Sequence, residues 1–350
     1  GPAPQTLRPS PGRWRVGLAT VAAVSLALLA SLWSHRPAEA LPLDVRPVPL
    51  NPEDPAQSQV GPLRFRGGLW LRSEDPAFGG LSGLQLSPDG SRLLAVSDCG
   101  QVLGATLIYD AKGRLSGLTD ATLRTLEGPG GRALERPEVD AEGLASGDDD
   151  RVLVAFEGRP PRIWSYEHPL SGEPRPRPGP PFGEDCQGNK GPEAIASGPN
   201  GDVVLLCEGG GLRPSSTTVW VGRDGDWVAR SYPLATEEPG LHDVYRTTGA
   251  TFLPGGDLLV LERRFPPLAV RIMRVPAADL AGNGPLVPEE LVRLDPPLTL
   301  DNFEGIAVRR TGSGATLLYL VSDDNGCSKR AGMVAPRIQR TLLLLFELRD

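Results

Sequence analysis

Five stretches decide the fold: LSGLQLSPDGSRLLAVSDCG (81–100), AEGLASGDDDRVLVAFEG (141–158), PEAIASGPNGDVVLLCEG (192–209), TGATFLPGGDLLVLERRF (248–265) and FEGIAVRRTGSGATLLYLVSDDN (303–325). Each begins with a strand of small and apolar residues and turns on Gly, Asp or Pro. A stronger apolar strand follows and ends on an acid or a charged cluster. The starts recur every 50–60 residues. Two more strand candidates follow the core of a unit: Ala105–Asp110 and Thr119–Leu126, Thr217–Gly222 and Trp227–Leu234, Val270–Val275 and Leu291–Leu294. Four strands at a period of about 55 residues are the signature of propeller blades, each of which needs a neighbour to bury its faces. The fifth unit ends after Arg340–Leu348, its third strand, and Leu63–Arg72 can supply the fourth. The expected fold is therefore all-β: one β-propeller of five four-stranded blades, with six as the alternative count. An N-terminal strand completes the last blade and closes the ring, which leaves no sheet edge open at the seam.

Composition agrees. Glycine (43) and proline (37) fill almost a quarter of the 350 residues without a collagen period, as many short strands and turns require. Hydrophobic residues are 39%, enough for a core. The net charge is −7, which disfavours nucleic-acid binding through a general basic field. The three histidines, His35, His168 and His242, are too few for a histidine-rich metal centre.

Ahead of the repeats, Arg8, Arg13 and Arg15 precede an apolar run, 16–33, and Ala38-Glu39-Ala40 follows. Residues 1–40 read as a secretory signal or as an uncleaved membrane anchor. Either places the remainder outside the cytoplasm, in the periplasm or beyond, and the membrane is met only through this segment if it is retained. Residues 41–62, with six prolines, read as an extended linker, and 63–350 as the propeller domain. In an oxidising compartment the four cysteines suit two disulfides, and the repeat favours Cys99–Cys327 and Cys186–Cys207.

In a blade of this kind the first strand lines the central channel and the second runs back antiparallel. The start of strand one and the end of strand two therefore share one face. Asp140, Glu142, Glu193, Asp301 and Glu304 fall at strand-one starts; Asp98, Glu157, Glu208, Glu262, Asp323 and Asp324 fall at strand-two ends. Asn189, Asn302, Asn325, Lys190, Arg263 and Arg264 accompany them. Carboxylates about 5 Å apart repel by roughly 3 kcal/mol at an effective dielectric of 20, so such a mouth calls for cations, shared protons or basic partners. Oxygen donors without histidine or paired cysteine suit Ca²⁺, with Mg²⁺ as the alternative. Glu142, Glu193 and Glu304, at equivalent positions, are the candidate ligands or bases, and Lys190 and Arg263 the candidate anion holders. Asp98, Asp140, Glu157, Asn189, Glu208, Glu262, Asp301, Asn302, Asp323, Asp324 and Asn325 are the candidate metal ligands.

The strings GGLSGL (79–84), SDCG, DAEG, FEG, NKGPEA, LERRF, DNFEGIA, SDDN and RTLLLLFEL (340–348) resemble the phytase-like family of exported bacterial proteins, labelled for the esterase-like activity of phytase. The resemblance spans about 64–350. It implies a propeller and calcium-dependent hydrolysis of a small-molecule phosphoester or ester. A non-catalytic cation- or ligand-binding propeller of the cell envelope and a lactonase-like sugar hydrolase are the alternatives. Other chemistries lack their motifs: no G-x-S-x-G elbow occurs, no G-x-G-x-x-G follows a strand, and Asp323-Asp324-Asn325-Gly326 lacks the remaining EF-hand ligands. Ser82 stands at a strand-one start with no histidine repeated near it.

Overall fold

In the computed structural model, residue 1 and residues 38–349 are described, apart from 136, 211–213, 224, 235–243, 267 and 327–338. The apolar run 16–33, His242 and Cys327 lie outside the described residues. Four sheets follow the chain in strict order. The first holds β5 (Leu81–Leu86), β6 (Arg92–Ser97), β7 (Gln101–Tyr109) and β8 (Leu115–Thr125). The second holds β9 (Ala141–Ser146), β10 (Arg151–Phe156), β11 (Arg162–Glu167) and β12 (Ser171–Arg177). The third is β13 (Pro192–Ser197), β14 (Val203–Cys207), β15 (Ser216–Arg223) and β16 (Asp226–Pro233). The fourth is β17 (Arg246–Phe252), β18 (Leu258–Arg264), β19 (Ala269–Val275) and β20 (Glu289–Leu294). In the fifth, β21 (Asn302–Arg310), β22 (Thr316–Asp323) and β23 (Thr341–Leu348) are completed by β4 (Leu63–Arg72). The protein is a five-bladed β-propeller, and β4 pairs with β23 from Leu71↔Thr341 to Leu63↔Leu348.

The second strand of every blade is sandwiched between two neighbours, which explains why RLLAVS, RVLVAF and VVLLC are continuous apolar runs rather than alternating ones. Five hydrophobic clusters result, one at each blade interface. Val152, Val154 and Phe156 of β10 pack toward the first blade with Val96 and Leu94, whereas Leu153 and Ala155 pack toward the third with Ile195 and Leu205. Among the fourth strands β12 is mostly exposed with two prolines, whereas β4 and β8 bury Leu69, Leu71, Leu118 and Leu123.

Residues 41–62 are not a free linker. β1 (Glu39–Ala40) adds to the outer edge of β8, while β2 (Asp44–Pro47) and β3 (Gln59–Val60) add to β4. Leu41 and Leu50 are buried, and the Leu41 amide donates to Ala121 O at 2.8 Å. The proline content was a signal of edge position, where a missing N–H costs nothing, and not of freedom. This segment straps the outer strand of the first blade to that of the fifth, across the seam of the ring.

Cys186–Cys207 is a disulfide within the third blade. Cys99 is disulfide-bonded as well; its expected partner, Cys327, lies outside the described residues.

Candidate functional site

A bulge recurs in every blade. The pairing of strand one with strand two skips one residue of strand one each time: Ser82 between Leu81↔Ser97 and Gly83↔Val96, Glu142 between Ala141↔Phe156 and Gly143↔Ala155, and Glu193 between Pro192↔Cys207 and Ala194↔Leu206. Thr248 and Glu304 are skipped in the same way in the fourth and fifth blades. A bulge re-aims the extra side chain. Here four of the five, Ser82, Glu142, Glu193 and Glu304, line one narrow pocket at the channel axis, and Thr248 does not.

The residue after each bulge is Gly83, Gly143, Ala194, Gly249 or Gly305. These positions form the waist of the channel, because each inner strand lies directly against the next. A Cβ on Gly143 would come within 2.9 Å of Ile195 N, and one on Gly249 within 2.3 Å of Glu304 O. The cavity at this waist is only about 10 Å³, whereas below it the channel widens to about 180 Å³ between Gln85, Ser146, Ser197 and Thr251. The acidic mouth is a cup that narrows to this waist.

The register fixes two further rings above the waist. Strand-one starts contribute Gly80, Asp140, Gly191, Arg246 and Asn302. Strand-two ends contribute Asp98, Glu157, Glu208, Arg263 and Asp323; the amides of Asp98, Glu157 and Glu208 donate to Gly80 O, Asp140 O and Gly191 O. In the second blade all three positions are acidic, and one carboxylate oxygen each of Asp140, Glu142 and Glu157 lies within 4.8 Å of the others. Oxygens about 2.4 Å from a shared Ca²⁺ can be up to about 4.8 Å apart, so the triad has the spacing of a cation site. Asn302 Oδ1 is buried with no hydrogen-bond partner and offers a further hard donor.

Burial dominates the protonation of the cup. It pushes Glu142 and Glu193 well above the ordinary carboxylate range, and the neighbouring acids push further: Asp140, Glu304, Glu157 and Asp98 on Glu142; Glu142, Glu157, Glu208 and Glu304 on Glu193. Glu157 is raised to about 7 by burial although it accepts from Glu193 and from the Gly191 amide at 2.9 Å. Glu304 is also raised to about 7 by burial, against the pull of Arg263, whose Nη2 is 4.0 Å away. Asn302 Nδ2 donates to Glu304 Oε1 at 2.8 Å and to Asp323 Oδ2 at 3.2 Å. Burial raises Glu208 and Asp323 too, Arg246 and Arg263 opposing it at Glu208 and Arg263 at Asp323.

Of the candidates read from sequence, Asp98, Asp140, Glu142, Glu157, Glu193, Glu208, Asn302, Glu304, Asp323 and Arg263 meet in the cup. The others do not. Glu262 is fully buried between the third and fourth blades, where it accepts from Tyr232 Oη at 2.6 Å and from Arg271 Nε at 2.5 Å. Its register mates are Ser97, Phe156, Cys207 and Ser322, which also sit one residue short of the mouth. Asp301 accepts from the Arg340 amide and Nε at 3.1 and 3.2 Å and so holds β23. Asp324 accepts from the Gly80 amide at 3.0 Å, tying the fifth blade to the first, and Asn325 Nδ2 donates to Gln339 Oε1 at 2.5 Å. Asn189 is exposed in the turn before β13. Lys190 lies over Gly210 and lines a cavity with Glu184, Asp185 and Thr217 on the flank of the third blade. Arg264 stacks on the Tyr245 ring.

Arg246 was missed. Written two residues earlier, the fourth repeat reads RTTGA against DAEGL and NFEGI, and Arg246 falls on Asp140 and Asn302.

Residues 76–326 match the family model described as phytase-like, esterase-like activity of phytase. No curated protein matches the chain. Among solved structures, a gluconolactonase from Xanthomonas campestris is 13% identical with a TM-score of 0.40, covering 89% of this chain and 99% of its own. A PQQ-bound aldose sugar dehydrogenase from Streptomyces coelicolor is 14% identical with a TM-score of 0.38, covering 88% and 99%. A luciferin-regenerating enzyme is 11% identical with a TM-score of 0.39, covering 86% and 95%. These likenesses add nothing to the topology described above.

Proposed function

We propose, from the premise that this chain belongs to the phytase-like family, that it hydrolyses phosphoesters or related esters of small molecules with the help of a divalent cation, Ca²⁺ in the first instance. The observation that carries this reading is the fivefold bulge: it gathers Glu142, Glu193 and Glu304 at one axis, with Asp140 and Glu157 completing an oxygen-only triad on the second blade. A bound cation would supply Lewis-acid polarisation of the ester and a more acidic attacking water. Asp140, Glu142 and Glu157 would hold it. Glu304, raised to about 7, takes the proton of the attacking water near neutral pH. Glu193, held in its protonated form by burial and its acidic neighbours, gives a proton to the leaving oxygen. Arg263, on the other side of Glu304, faces the negative charge that develops.

Export belongs to the same proposal. The basic, apolar and A-x-A succession of residues 1–40 supports it, as does the Cys186–Cys207 bridge, which an oxidising compartment maintains. A second reading, a cup that holds a cation without chemistry, is favoured by the small space at the waist.

The deciding experiment measures hydrolysis of a phosphomonoester and of a short-chain carboxyl ester by residues 38–350, with Ca²⁺ and with chelator, beside Glu193→Gln. Calcium-dependent turnover that disappears in the variant is expected. Absence of turnover with a large calcium-dependent rise in Tm would select the second reading, and absence of both would end the two together.

A further inference from the structure

The five blades do not contribute equally. Reading the three mouth positions of each gives Gly80, Ser82 and Asp98; Asp140, Glu142 and Glu157; Gly191, Glu193 and Glu208; Arg246, Thr248 and Arg263; Asn302, Glu304 and Asp323. Only the fourth blade brings no acid to these positions, and it brings two arginines. They are direct partners across β17 and β18, where like charges side by side are unfavourable unless something negative lies between or above them; Glu208, beside both, and Glu304, beside Arg263, supply part of that charge. Arg246 Nη1 donates to Gly209 O at 2.7 Å. Arg263 approaches Glu304 no closer than 4.0 Å, and its buried Nε has no hydrogen-bond partner. The neighbouring Thr248 hydroxyl is turned away from the axis, donating to Phe303 O at 3.0 Å. The mouth is thus polarised, with its acidic triad on the second blade and a guanidinium pair on the fourth, the third blade standing between them.

We propose that Arg246 and Arg263 form an oxyanion subsite that binds the phosphoryl or carboxylate group of the substrate before any chemistry, and so restrict the enzyme to anionic esters. Two forks on adjacent strands match the paired oxygens of such a group in a way that one lysine would not. The proposal deepens the hydrolase reading and rests on it for the word substrate, but the binding itself does not need turnover.

The test is calorimetric binding of inorganic phosphate, and separately of acetate, to the full chain with and without Ca²⁺. Phosphate affinity should fall at least tenfold in Arg246→Gln and in Arg263→Gln and stay unchanged in Arg274→Gln, on the outside of the same blade. Arg263→Lys should recover only part of the loss. If Arg263→Gln folds poorly because Glu304 loses its partner, the Arg263→Gln/Glu304→Gln pair removes both charges and should show the same loss. Binding of acetate but not phosphate would make the subsite one for carboxylates. No binding of either anion, or equal affinity in all variants, overturns the subsite. Turnover with unaltered phosphate affinity in the variants overturns it while leaving the hydrolase intact. Phosphate binding lost in the variants, in a protein without turnover, supports it while the hydrolase reading falls.

Discussion

Glu262 and Arg263 are adjacent in sequence and have opposite fates. Successive residues of a strand point to opposite sides, so when Arg263 reaches the cup Glu262 must enter the interface between blades, where Arg271 and Tyr232 receive it. Removing one partner of such a buried pair strands the other. Glu262→Ala should therefore cost about 3 kcal/mol in chemical denaturation and leave calcium affinity unaltered. Glu142→Gln should do the reverse: relief from its carboxylate neighbours raises the Tm of the cation-free protein, while calcium binding, followed by calorimetry, weakens at least tenfold. Both residues looked alike in sequence, as acids near the channel face of a repeat. The difference is one position of register, which the apolar pattern leaves open because strand two is apolar on both sides. The same slip concealed Arg246.

At the scale of the element, the blades were legible because each second strand is buried twice and so announces itself as a continuous apolar run. The bulges were not legible. Nothing in LSGL, AEGL or FEGI distinguishes a skipped residue from a paired one, yet the skip is what turns Ser82, Glu142 and Glu304 toward the axis. The small residues that follow have a role of their own. Gly249→Ala would place a Cβ 2.3 Å from the backbone oxygen of Glu304, and overpacking of a tight site costs about 1–3 kcal/mol. Denaturation should register that loss together with slower turnover, since Glu304 must shift. Gly255→Ala, whose Cβ would meet nothing within 4 Å, should be neutral. The strap of residues 38–62 was misread for an equally physical reason: edge strands and linkers share a taste for proline.

For the molecule as a whole, the acidic cup sets the dependence of stability on pH. Glu157 and Glu304 bind their protons more tightly in the folded state, up to about 7, than near their ordinary value of 4.5. The folded protein then holds more protons than the unfolded chain between those values, so stability falls as pH rises through that window. Cation-free protein should melt at a higher temperature at pH 5 than at pH 7.5. Saturating Ca²⁺ should raise the Tm most at the higher pH, because it favours the ionised carboxylates. A Tm that rises with pH in chelator would contradict the assignment. The seam has a consequence of another kind, for the order of events during synthesis. β4 is made among the first elements, but its partner β23 is about 270 residues away, and pairing so distant in sequence is slow to form. Until the last strand emerges, the edge of β4 that β23 will take waits unpaired, because the N-terminal strap lies on the opposite edge. A nascent chain short of residue 341 is thus an open arc with an exposed strand edge at the seam, and the ring becomes a single cooperative body only at its final strand.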